Sequence, residues 1–171
     1  VAVGWCGQIA STSNGGQTWN NSTNFMTSSP TGIQFLNSST GYITTDRMEI
    51  LKTTNGGFSF QKFTFNRNLT SIFIYSAEEI MAGGDSNLVK TTNGGLNWTQ
   101  HHVNANLEWF IFPKALTGFG IHTYYVYPVS SASVDVKTTD GGLTWRLTGT
   151  NASRRIHFFD SNNGIYSDIR Q

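Results

Sequence analysis

A chain of 171 residues with 12% charged residues and a formal net charge of +1 is the size of one domain, and its near-neutral balance excludes the basic face that a general grip on nucleic acid needs. With 37% hydrophobic residues, including five Trp, six Tyr and twelve Phe, it carries enough apolar surface for a core and is not a disordered segment. A single cysteine, Cys6, excludes an internal disulfide and a cysteine metal pair, and no run nears the roughly 18 consecutive apolar residues of a membrane span.

In chain order, the sequence opens on VAVG, which reads as the middle of a strand, with no charged start ahead of an apolar run; a mature fragment is the expectation. The octapeptide TSNGGQTW follows at 12–19 and recurs as TTNGGFSF at 53–60, TTNGGLNW at 91–98 and TTDGGLTW at 138–145. Its third residue marks the repeat, Asn14, Asn55, Asn93 and Asp140, at intervals of 41, 38 and 47 residues. A second signature opens each later unit: IQFLNSSTGYIT from Ile33, SIFIYSAEEIMAGG from Ser71, WFIFPKALTGFGIHT from Trp109 and IHFFDSNNGIYS from Ile156. The units therefore run over about 1–19, 33–60, 71–98, 109–145 and, in part, 156–171.

Ile33 and Phe35, Ile72 and Ile74, Phe110 and Phe112, and Ile156 and Phe158 keep a spacing of two, which places each pair on one face of a strand. The runs EILKT, LVKT and VDVKT end in Lys-Thr, and the Asn-Gly-Gly or Asp-Gly-Gly turn then leads into a fourth strand. No window sustains a helical period, so the chain reads as all-β. Four-stranded antiparallel units at this period predict a single β-propeller domain or a fragment of one, about four blades' worth, either a closed four-bladed ring or an arc of a six- or seven-bladed one. A β-sandwich is the alternative architecture, but it does not require one turn chemistry repeated at a fixed interval.

The octapeptide explains itself as turn chemistry. A short Asn or Asp side chain accepts bonds from backbone N–H groups just ahead of it, and the glycines supply positive φ. Thr12, Thr53, Thr91 and Thr138 add hydroxyl bonds, Gly16, Gly57, Gly95 and Gly142 close the turn, and Trp19, Phe60, Trp98 and Trp145 are expected to insert between neighbouring sheets, each stabilising by about 2–4 kcal/mol. With Asn14, Asn55, Asn93 and Asp140 these residues form the set that resembles the Asp-box, or BNR repeat, of sialidases, sortilin-type receptors, xyloglucan-cleaving glycosidases and photosystem II assembly factors. Three copies carry Asn where that family has Asp, which keeps the acceptor oxygen and removes the charge. The resemblance implies a propeller, in these families mostly one of the larger rings, and such an arc is expected to sit against further blades of a larger chain or within a protein complex.

Because the same neutral residues recur at equivalent places around a ring, they read as fasteners rather than as a converging catalytic site. A glycosidase needs two carboxylates roughly 5–9.5 Å apart, and Asp46, Glu49 and Asp85 are the candidates for a cross-blade pair. A sialidase-like site also needs gathered arginines, and the arginines here sit in no recognisable active-site motif. His101 and His102 are adjacent and point to opposite faces of an extended strand, so no metal site is expected, and no cofactor motif is present. The rim opposite the octapeptides is the expected binding surface for a protein or glycan partner: Arg47, Arg67, Arg154, Arg155 and the cluster Tyr124, Tyr125 and Tyr127, carried on an insertion of the longest unit. The photosystem II assembly factors use an arginine-rich surface, which only Arg154 and Arg155 approach here. The low charge and the six Asn-X-Ser/Thr sites, at Asn20, Asn21, Asn37, Asn68, Asn97 and Asn151, point to an extracytoplasmic setting. The leading expectation is a non-enzymatic propeller scaffold, and the alternative is a carbohydrate-active hydrolase or a fragment of one.

Overall fold

The structure, a computed structural model, describes residues 1–4, 8–22, 28–126, 130–151, 155–158 and 163–167. They form five antiparallel sheets in sequence order. The first holds β1 (Ala2–Gly4), β2 (Gln8–Ser11) and β3 (Asn20–Ser22). Three four-stranded blades follow: β4 (Pro30–Phe35), β5 (Gly41–Thr45), β6 (Glu49–Thr53) and β7 (Gln61–Thr64); then β8 (Ser71–Ile74), β9 (Ile80–Gly84), β10 (Asn87–Thr91) and β11 (Thr99–His102); then β12 (Leu107–Ile111), β13 (Gly118–Val126), β14 (Ser130–Thr138) and β15 (Arg146–Asn151). The last is the hairpin of β16 (Arg155–Phe158) and β17 (Gly164–Ser167). Every strand pairs with its neighbour in sequence, the meander of a β-propeller blade. Among the described residues β16 and β17 pair only with each other and β1 only with β2, so no strand of the last sheet completes the first.

The second and third blades are covered on both faces by their neighbours, which is why their second strands are buried without alternation. All five positions of β5 and of β9 are buried. The core is accordingly divided into interlayers. Ile9, Ile43 and Leu51, with Val3 and Phe60 against them, fill the first gap. Tyr42, Ile50, Leu69, Ile72, Ile80 and Val89 lead the second, and Leu88, Leu107, Phe110, Phe112, Val136 and Trp145 the third. Each such Leu or Ile contributes about 1.5–3 kcal/mol. Two threonines stitch blade to blade at equivalent places: Thr31 Oγ1 donates to the Leu69 carbonyl and Thr70 Oγ1 to the Leu107 carbonyl, each at 2.7 Å.

Four octapeptides, one bond pattern, unequal packing

The four octapeptides share one geometry. In each, the Thr hydroxyl donates to the side-chain oxygen two residues on (2.9, 3.0, 2.9 and 2.8 Å). The same hydroxyl accepts the N–H of the second glycine at 2.9–3.0 Å. The Asn or Asp oxygen in turn accepts the N–H four residues ahead, at 2.9–3.0 Å. Both glycines of every copy stand at positive φ, from 68° to 94°, where a side chain would be strained. In the second, third and fourth copies the first glycine donates to the hairpin turn between the first two strands of its own blade: Gly56 to Ser39, Gly94 to Glu78 and Gly141 to Leu116.

The aromatics do not all insert as expected. Trp145 is 3% exposed, Phe60 and Trp98 are half-buried, and Trp19 is 48% exposed. A Cβ added to the second glycine would meet the preceding blade in three copies, Val1 beside Gly57, Tyr42 beside Gly95 and Leu88 beside Gly142, but at Gly16 it would meet only Trp19 of its own turn. The second, third and fourth octapeptides thus pack backwards onto the sheet before them, and the described residues place none behind the first copy.

Candidate binding rim

The hydrogen bonds sort the turns onto two rims. The octapeptides and the first hairpin of each blade are bonded together at one end. At the other, the hairpins joining second and third strands are bonded to the links between blades: Asp46 N to Ser29 O, Phe65 N to Met48 O, Val103 N to Ser86 O and Thr123 N to Asn106 O, at 2.8–3.0 Å. In the second blade Met48 closes a three-residue turn at φ 62°, and in the third Asp85 and Ser86 form a two-residue turn at 49° and 57°, the tight hairpins that Asp and Ser favour.

The fourth blade departs from this. Where its predecessors turn, it carries Thr123, Tyr124, Tyr125 and Val126, residues that favour extension, so β13 and β14 run nine residues each. What reads from sequence as an insertion of the longest unit is, around Tyr124 and Tyr125, a lengthening of two strands. β12 pairs with β13 only as far as His122, and β15 pairs with β14 only as far as Val134. Beyond those points, among the described residues, Thr123–Val126 and Ser130–Ser133 form ladder pairs only with each other, as a ribbon projecting past the sheet. Tyr125 is 91% exposed, and Tyr124 and Val126 are also exposed. The base of the ribbon is fixed: Thr123 and Ser133 share a hydroxyl bond of 2.8 Å, the His122 ring lies 5.6 Å from that of Tyr124, and His122 Nδ1 accepts the Asn106 N–H at 2.8 Å.

Of the other expected binding residues, Arg47 and Arg67 stand apart along this end. Arg47 is exposed in the β5–β6 turn. Arg67, in the β7–β8 link, pairs with Asp85 at 3.8 Å across the exposed surface, an interaction of about 0–1 kcal/mol. Tyr127 and Arg154 lie outside the described residues, and Arg155 is described only as the backbone partner of Ser167. The candidate carboxylates hold the links in place. Asp46 Oδ1 accepts the Ser29 N–H at 2.8 Å; Glu49 accepts the hydroxyls of Ser28 and Thr45 and pairs with Lys62 at 3.1 Å. His101 and His102 lie opposite Leu88 and Asn87. Among the described residues no three His, Cys, Asp or Glu side chains are grouped to hold a metal ion.

Two devices escaped the sequence reading. Asn104, in the β11–β12 link, holds both backbone groups of Trp145, donating to its carbonyl and accepting its N–H at 2.9 Å. Tyr42 and Lys52 both donate to the Gly94 carbonyl of the next blade, at 3.0 and 2.6 Å, and burial pushes the Tyr42 phenol up from its ordinary pKa. The recurrent Lys before each later octapeptide Thr was the available signal, but its partner is visible only once blades are stacked.

No protein-family model matches the sequence, and no curated protein matches it either. Among solved structures the chain is similar to YCF48 from Cyanidioschyzon merolae, at 16% identity and a TM-score of 0.65 over 96% of this chain and 61% of that one. It is also similar to an ancestral GH74 enzyme, at 18% identity and a TM-score of 0.61 over 87% of this chain and 24% of that one. The GH74 enzyme of Niastella koreensis matches at 18% identity and a TM-score of 0.56 over 75% and 24%. This chain thus spans less than two thirds of each. At such identities the likeness is one of fold, and the fold is a β-propeller of about four blades.

Proposed function

We propose that the protein is a non-enzymatic propeller scaffold that binds a protein partner through the β13–β14 ribbon, with the octapeptides serving as Asp-box fasteners. The observation that carries this is the ribbon itself: two strands that outgrow their blade and present Tyr124, Tyr125 and Val126 to solvent. Tyrosine offers large, rigid contact area for little conformational entropy, and the backbone of Tyr124–Val126, which among the described residues has no ladder partner outside the ribbon, offers an edge for strand addition. Arg47 and Arg67 stand on the same end as polar rim contacts. The low charge and the Asn-X-Ser/Thr sites support an extracytoplasmic place of action, where an uncharged surface is common. The carbohydrate-active hydrolase remains the competing reading, with Asp46, Glu49 and Asp85 as its acids.

A photo-crosslinking residue placed at Tyr125, with one at the exposed Leu96 of the octapeptide end as control, tests this in an extract of the source cells. A discrete protein adduct from position 125 that is absent from position 96 is expected. Adducts from position 96 alone, or turnover of a glycan mixture that Asp46→Asn or Asp85→Asn abolishes, would contradict it.

A further inference from the structure

The gap between the first sheet and the second blade differs from the gap that follows it. In that second gap Lys52 and Tyr42 reach across to the Gly94 carbonyl and close the octapeptide end. The strand register puts Ser11 at the place of Lys52, each just before its octapeptide Thr, and Val1 at the place of Tyr42. Between the first two octapeptides, with Val1 and Ser11 in its wall, lies an open groove of about 610 Å³, within the size range of small-ligand sites.

Its walls have a definite chemistry. No charged side chain lines it. Two phenyl rings do, Phe35 half-buried and Phe58 64% exposed. Around them stand Ser11, Ser13, Ser38 and Ser39, whose hydroxyls make no hydrogen bond among the described residues. The equivalent positions elsewhere differ: Ser39 is matched by Glu78 and Leu116, Asn37 by Ser76 and Lys114, and Phe58 by Leu96 and Leu143. Among the described octapeptide gaps, this one combines aromatic faces with neutral hydroxyls and amides at these positions.

We propose that this groove is a binding site for a neutral saccharide. A pyranose ring has an apolar C–H face that rests on a phenyl ring and a rim of hydroxyls that both donate and accept, as serine hydroxyls do. A charged ligand would find no charged side chain to pair with, and an apolar one would leave the hydroxyl wall desolvated. A peptide would find no free strand edge, because the groove lies at the strand ends. The site is on the end opposite the β13–β14 ribbon and stands independently of the partner proposed there.

The test is a titration followed by NMR amide shifts, with neutral gluco-, manno- and chito-oligosaccharides of four to six units, a sialylated oligosaccharide and a neutral Ser/Asn-rich decapeptide. Saturable binding of a neutral oligosaccharide, with shifts at Ser11, Ser38 and Phe58, is expected. Ser11→Lys, which copies the lysine of the later blades, and Phe58→Ala should each weaken it at least tenfold while leaving the unfolding midpoint unchanged, whereas Tyr125→Ala should leave the affinity unaltered. The proposal fails if no neutral oligosaccharide binds, if the acidic sugar or the peptide binds more tightly, or if neither groove variant alters the affinity.

Discussion

The first and fourth octapeptides are bonded alike and packed differently. Thr12 and Thr138 make the same contacts within their turns to within 0.1 Å, yet Trp19 is 48% exposed and Trp145 3%. Turn closure is therefore local, complete within eight residues, while the energy that each copy adds to the fold comes from the blade its aromatic meets.

The largest way to sharpen that contrast is to truncate the rings. Trp145→Ala empties a site packed by Phe110 and Phe112 and loses the Trp145 Nε1 bond to the Gly142 carbonyl. Denaturant titration should show a loss of about 3–5 kcal/mol, against less than about 1 kcal/mol for Trp19→Ala. Next come the glycines. Gly142→Ala adds backbone strain and drives a methyl to 3.0 Å from Leu88, and should cost about 2–4 kcal/mol. Gly16→Ala meets nothing closer than 3.6 Å and should cost only the strain, about 1 kcal/mol. Smaller again, Thr53→Val strips the acceptor from the buried Gly57 N–H and should cost about 1–3 kcal/mol. Thr12→Val, in an exposed turn where water replaces the hydroxyl, should cost about half a kcal/mol.

The extent to which all this was legible in sequence follows the same division. The octapeptide's Thr, Asn or Asp and glycines encode their bonds within a short window, so the turn and the strands on either side could be read directly. The exposure of Trp19 could not, because its indole is the same residue type as Trp145 and only the stacking of blades separates them. The ribbon was half legible: the extra residues of the longest unit were plain, but Thr123–Val126 continuing as strand depended on β-forming residues replacing a turn. The saccharide groove was hidden altogether, since Ser11 matters only as the absence of a lysine found at Lys52 and Lys90.

The smallest expected effect is one of pH. Burial raises the Asp140 pKa, but bonds from the Thr144 hydroxyl and N–H, the Thr138 hydroxyl and the Leu143 N–H outweigh it and hold the carboxyl below the ordinary aspartate range. A lowered folded pKa gives stability that is present above the unfolded value and is lost as pH falls through the folded one. Unfolding midpoints measured from neutral pH down through the aspartate range should therefore drop slightly more for the wild type than for Asp140→Asn, which copies the other three turns.

The backward clamp is tested most directly at Trp98, whose ring partners Tyr42, Phe63 and Phe65 all belong to the preceding blade and its exit, with Phe63 at 6.0 Å. A double-mutant cycle of Phe63→Ala and Trp98→Ala, read by denaturant unfolding, should give a coupling of about 0.5–1.5 kcal/mol. Strict additivity of the two losses would contradict the view that these aromatics join one blade to the next.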